Sequence, residues 1–66
     1  MRIVLNGDDT TLPREMTVQE LLDHLGVDGR LVAVECNRVV VRRAHYADTP
    51  IPPGAEIEIV AFVGGG

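Results

Sequence analysis

The sequence predicts an α+β domain: a five-stranded mixed sheet with one helix packed on one face. Three observations carry this expectation. Three stretches, at residues 1–6, 31–36 and 56–63, send successive side chains to opposite faces with the two-residue period of half-buried strands. One stretch, residues 17–26, has apolar positions at helical spacing instead. Turn-forming pairs, Asn6-Gly7 and Asn37-Arg38, follow the first two strand stretches and fold each back on itself.

Taken in order, "MRIVLN" puts Ile3 and Leu5 on one side and Arg2, Val4 and Asn6 on the other. Asn6-Gly7 supplies the positive φ of a tight hairpin, and "TTLP" is the returning strand, ended by Pro13. Thr17 and Glu20 have the spacing of a capping box, in which each side chain satisfies a free backbone N–H at a helix start. Val18, Leu21, Leu22 and Leu25 then form one apolar stripe, and Gly26 stands where a left-handed C-terminal cap belongs. In "LVAVEC" Val32, Val34 and Cys36 share one face and Ala33 and Glu35 the other, before Asn37-Arg38 turns the chain into "VVV". "RRAHYADTPIPPG" is rich in turn formers and predicts an irregular surface connection, with Pro53-Gly54 at the middle of a type II turn. The last strand, "EIEIVAFV", faces Ile57, Ile59, Ala61 and Val63 one way and Glu58, Val60 and Phe62 the other.

The order strand, strand, helix, strand, strand, strand is the ββαβββ pattern of the β-grasp, or ubiquitin-like, fold. In that arrangement the first and last strands lie side by side and parallel in the middle of the sheet. The helix covers the face that carries Ile3, Leu5, Ile57 and Ile59, because so short a helix is stable only when packed. The folded domain is expected over residues 1–63, followed by a flexible glycine tail at 64–66.

Composition narrows the function. A chain of 66 residues makes one domain, and a fold this small buries only about 60% of the surface its unfolded chain exposes. Cys36 is the only cysteine and His24 and His45 the only histidines, so neither a disulfide nor a metal site is expected within one chain. Ten acidic residues against six basic give a net charge of −4, which repels phosphate backbones and anionic lipid. Nucleic acid and membrane are therefore not expected partners; a basic patch on another protein is. "MRIVLNGDD" meets charge too soon for a signal peptide, and no apolar run approaches the roughly 20 residues of a membrane span, so a cytoplasmic location is expected. There is no serine, and no nucleophile, base and orienting group can be assembled from these residues. A self-sufficient enzyme is not expected.

Two features stand out from this background. Gly64, Gly65 and Gly66, if extended, reach roughly 10 Å beyond the sheet at about 3.3–3.6 Å per residue. Lacking Cβ atoms, they pass through a channel too narrow for other residues. Fraying is the alternative, but frayed ends are usually polar, whereas this strand stays apolar up to Val63 before the glycines begin. The second feature is the outward face of the last strand, where Val60 and Phe62, with Val4 expected beside them and Arg2, Glu35 and Glu58 as rim, form a candidate partner interface. The alternative there is that β-branched residues favour strands whichever way they point. Cys36 shares the alternation of Val32 and Val34, which suits a buried, inert thiol better than a persulfide carrier, and Arg42 and Arg43 read as a solvated strand end.

With these residues in view, the chain resembles the ThiS family of thiamine-pathway sulfur carriers. The start "MRIVLNG", the helix "TVQELLDHLGV", the strand "VAVECN", the loop "HYADTPI" and the end "EIEIVAFVGGG" carry the resemblance nearly end to end. It departs from the family pattern at Val41, where proline is expected, at Tyr46, where tryptophan is common, and at Ala55, where aspartate is usual. The resemblance implies a carrier that binds no cofactor itself. A separate ThiF-like adenylyltransferase consumes ATP to adenylate the Gly66 carboxylate, with Gly64 and Gly65 threading its active site. Sulfur from a donor such as a cysteine desulfurase replaces AMP, and the thiocarboxylate on Gly66 supplies thiazole synthase. A molybdopterin-type sulfur carrier, a ubiquitin-like modifier conjugated through Gly66 and a plain binding module are the competing readings. The absence of lysine excludes chains of such a modifier linked through its own lysines.

Overall fold

The computed structural model describes residues 1–62. Five strands, β1 (Arg2–Leu5), β2 (Asp8–Thr11), β3 (Val32–Cys36), β4 (Val39–Val41) and β5 (Glu56–Ala61), form one sheet in the order β2-β1-β5-β3-β4, and one helix, α1 (Val18–Leu25), crosses it. The central pair β1 and β5 is parallel; every other pairing is antiparallel. This is the β-grasp arrangement expected from the order of elements.

Local chemistry explains each element. Asn6 and Gly7 both take positive φ, 48° and 84°, and close β1 onto β2 through the pair Leu5 and Asp8. Such a turn matches the right-handed twist of the strands it joins. The returning strand thus begins at Asp8, two residues before "TTLP", because both aspartates lie on an exposed edge where pairing needs no apolar side chain. At the start of α1 the Thr17 Oγ1 accepts from the Glu20 amide at 3.2 Å while the Glu20 carboxylate accepts from the Thr17 amide at 3.0 Å, completing the capping box. At its end Gly26 adopts φ 69°, its amide donating to Asp23 O at 3.1 Å and that of Val27 to Leu22 O at 2.9 Å. This double closure needs a left-handed residue, which glycine supplies without a Cβ penalty.

The core lies between α1 and the inner face of the sheet. Val18, Leu21 and Leu22 from the helix meet Ile3, Val32, Val34 and Ile57 from three strands. Leu5, Cys36 and Ile59 are only partly buried at its margin, and Leu25, the last residue of the expected stripe, is 39% exposed. The largest correction concerns the long connection. Arg43–Asp48 is a 3-10 turn that buries Tyr46, and Ile51 and Ala55 beyond it are buried as well. The Tyr46 hydroxyl donates to Val32 O at 3.4 Å, and Val18 and Ile51 bond to Thr49 and Met16 across the connection. The segment is therefore a lid on the end of the core rather than a surface loop. Pro53-Gly54 does form the expected turn: Gly54 has φ 77° and the Ala55 amide donates to Pro52 O at 3.1 Å.

Candidate functional site

β5 runs through the centre of the sheet, and its exit defines the candidate site. Two turn asparagines hold it. Beyond Leu5 the side chain of Asn6 continues the pairing that β1 has ended: Oδ1 accepts from the Ile59 amide at 2.8 Å and Nδ2 donates to Ile59 O at 3.2 Å. At the other end, the Asn37 Oδ1 accepts from the Glu56 amide at 2.9 Å and the Asn37 amide donates to Glu56 O at 2.8 Å. The Phe62 amide then donates to Leu31 O at 2.9 Å, fixing where the chain leaves the sheet.

Around this exit the outer face is apolar. Val60 is 56% exposed, Phe62 67% and Leu31 61%. The register Val32 to Ala61 and Ala33 to Val60 puts Leu31, Ala33, Val60 and Phe62 on one surface. Leu31 shares the outward alternation of Ala33 and Glu35 in the 31–36 stretch but is absent from the candidates read from sequence; it closes a 3-10 turn at Gly29–Leu31, and its place beside Phe62 follows from the β3–β5 register. Val4 does not lie beside Val60 and Phe62. The parallel pairing places it opposite Glu56, so Val60 lies four residues further along, roughly 13 Å at strand spacing. Val4 is half-buried among Asp9 and Glu56, and Arg2 pairs with Asp9 at 3.4 Å, so neither joins the apolar collar.

Glu35 and Glu58 do flank it. They face each other directly across β3 and β5 on the outer surface, with Glu56 next along the strand. Like charges in this position oppose pairing, and a basic surface placed against them would relieve the repulsion. This is the electrostatic complement of the expected basic partner.

The remaining candidates separate clearly. Cys36 is half-buried on the inner face, and burial pushes its thiol up, which disfavours the reactive thiolate. Arg42 and Arg43 are exposed, as are His24 and His45. Among the described residues no group of three histidine, cysteine, aspartate or glutamate side chains is placed to hold a metal, and no helix is long and apolar enough to cross a membrane. Gly64, Gly65 and Gly66, the tail residues singled out from sequence, lie outside the described residues, as does Val63.

A model of the ThiS family matches residues 3–66, nearly the whole chain. The chain belongs to the ThiS family. Among ThiS relatives, the sulfur carrier protein ThiS of Bacillus subtilis is 35% identical over 63 residues, covering 94% of this chain and 96% of that protein. The crystal structure of the thiamine biosynthesis protein ThiS from Geobacter metallireducens superposes with a TM-score of 0.87 at 33% identity, each chain covered completely. A thiazole synthase of Paramagnetospirillum magneticum is 47% identical over 66 residues. This chain spans 20% of the length of that protein and of a second thiazole synthase from Magnetococcus marinus.

Proposed function

We propose that this chain is a sulfur carrier for thiazole formation in thiamine biosynthesis, itself without catalytic activity, and that its working group is the carboxylate of Gly66. The observation that carries the reading is the match along nearly the whole chain to the ThiS family, on a scaffold whose central strand ends beside an exposed apolar patch at Val60, Phe62 and Leu31.

The chemistry follows from what a carboxylate lacks. It is a poor electrophile until one oxygen becomes a leaving group, so a ThiF-like adenylyltransferase lets the Gly66 carboxylate displace pyrophosphate from ATP, giving an acyl adenylate. The terminal sulfur of a persulfide, supplied by a donor such as a cysteine desulfurase, then displaces AMP. A thiol cuts the sulfur–sulfur bond to the donor, and a thiocarboxylate remains on Gly66. Gly64 and Gly65 allow the arm to thread narrow channels, and Val60 and Phe62, with Leu31, dock the domain so that the reacting carbon is positioned. The protein contributes recognition and reach, and its partners contribute catalysis, as expected of a cytoplasmic carrier.

Thiazole synthase is favoured over a molybdopterin-forming partner because a segment similar to this whole chain occurs within two relatives named thiazole synthase. Reconstitution tests the reading. Purified thiocarboxylate should donate sulfur to a thiazole synthase given a sugar phosphate and a glycine-derived imine, and should fail with the large molybdopterin subunit. The reverse result would overturn the thiazole assignment.

A further inference from the structure

The two faces of the sheet are accounted for by the core and the collar; its β4 edge is not. In the second hairpin Asn37 and Arg38 have φ of 50° and 68°, so Cys36 and Val39 close a two-residue turn as a hydrogen-bonded pair. Pairs then alternate along the ladder, which turns the amide and carbonyl of Val40 away from β3 and towards solvent. The β5 side agrees: Asn37 and Leu31, odd-numbered like Glu35, bond to that strand. Past Val41 the chain leaves the sheet for the 3-10 turn, so beyond Val34 no strand lies beside β3 on this edge, and the Val32 carbonyl accepts instead from the Tyr46 hydroxyl. There a notch of about 290 Å³ opens, with Val32, Val41, Tyr46 and Phe62 in its lining and Arg30 and Arg43 among its polar residues.

Charge is sorted to the same edge. Although the chain carries −4 overall, Arg30, Arg38, Arg42 and Arg43, four of its six arginines, surround β4. Arg30 is held by Asp28 at 2.7 Å and Arg38 lies 3.9 Å from Glu56, whereas among the described residues Arg42 and Arg43 take part in no ion pair. Arg38, Val40 and Arg42 alternate to the outer face, with Val40 67% exposed. A second copy fits this edge badly: two-fold antiparallel pairing centred on Val40 would set Arg38 of each copy against Arg42 of the other.

We infer that the β4 edge is a strand-addition site for an extended acidic segment of a partner protein. Its backbone pairs with Val40, its acidic, apolar and acidic side chains at alternate positions meet Arg42, Val40 and Arg38, and an apolar residue beyond them enters the notch. The site involves none of the tail glycines, but it adjoins the β5 exit at Phe62, which lines both the notch and the collar.

The probe is a capped synthetic peptide, Val-Thr-Glu-Thr-Val-Thr-Glu-Thr, titrated into isotope-labelled full-length chain by NMR, beside a twin in which lysine replaces both glutamates. The acidic peptide should shift the amides of Val39, Val40, Val41 and Val32 and slow hydrogen exchange at Val40, and its lysine twin should not. The double substitution Arg42→Glu, Arg43→Glu should weaken binding about tenfold or more without lowering the melting temperature, whereas Arg2→Glu on the far side of the sheet should leave it unchanged. Equal binding of the twin, equal binding by the double variant, shifts confined to β2 or the collar, or no shift at millimolar peptide would overturn the proposal. So would concentration-dependent shifts at β4 without peptide, which would assign the edge to a second copy.

Discussion

The two faces of β5 carry the same alternation and opposite chemistry. On the inner face Ile57 is completely enclosed by the helix and the neighbouring strands; on the outer face Val60 and Phe62 stand more than half exposed. A strand whose apolar residues point both ways is normal in a sheet covered on both sides, but here only one side is covered. The inner set thus holds the fold while the outer set is available to another protein, and substitutions on the two faces should therefore fail in different assays.

The largest effect is expected inside. Ile57→Ala leaves a cavity that the surrounding residues cannot fill, at a cost of about 3 kcal/mol, and should lower the melting temperature by roughly 15 °C or leave the domain unfolded. On the outer face the same strand should tolerate far more. Phe62→Asp should keep the melting temperature within about 3 °C of the parent while weakening binding to the proposed adenylating partner by about 2 kcal/mol or more, read by thermal melt and calorimetric titration. If Phe62→Asp melted like Ile57→Ala, the assignment of the two faces would be wrong.

A smaller change sharpens the comparison from the side. Asn6→Gly keeps the positive φ of the turn but removes both side-chain hydrogen bonds to Ile59, and should cost about 1–2 kcal/mol. Hydrogen exchange should rise most at the Ile59 amide, which would show that the turn residue anchors the exposed end of β5.

Most of the fold is legible in the sequence, and what is not has physical causes. The helix was legible because its caps are written in residue types, Thr17, Glu20 and Gly26, and its stripe in spacing. The hairpins were legible because Asn6-Gly7 and Asn37-Arg38 suit positive φ. Tyr46, Ile51 and Ala55 were invisible as core because a 3-10 turn and a proline-rich connection have no periodicity to mark an inner face. The site was half legible. Outward alternation found Val60 and Phe62, but Val4 required the β1–β5 register, and that register is set by long-range pairing. Leu31 alternates outward in the sequence, but its place beside Phe62 needs the β3–β5 register in the same way, and the second task of Asn6 and Asn37, bonding to β5 from their turns, leaves no trace in local sequence.

The smallest effect is electrostatic. The side-chain and backbone hydrogen bonds from Arg30 hold the Asp28 carboxyl at about 2, below its ordinary 3.8. The Thr17 amide, followed by Arg14, holds Glu20 below the usual carboxylate range. A folded value below the unfolded one means that this stabilisation is present above about pH 4 and is lost as pH falls towards about 2. Both groups are well solvated, so the loss is slight. Asp28→Asn should flatten the fall in melting temperature across that interval, and an unchanged slope would remove Asp28 from the account.

Gly66, and not the single thiol, is the proposed carrier of the sulfur. Intact-mass spectrometry of the Cys36→Ala chain isolated from cells that express the adenylating enzyme and the sulfur donor tests it most directly, with fragmentation to locate any modification. The expected result is the mass gain of one sulfur replacing one oxygen, placed on Gly66 and unaffected by loss of the cysteine. An unmodified C-terminal residue, a gain that disappears with Cys36, or an adduct of protein mass would contradict it.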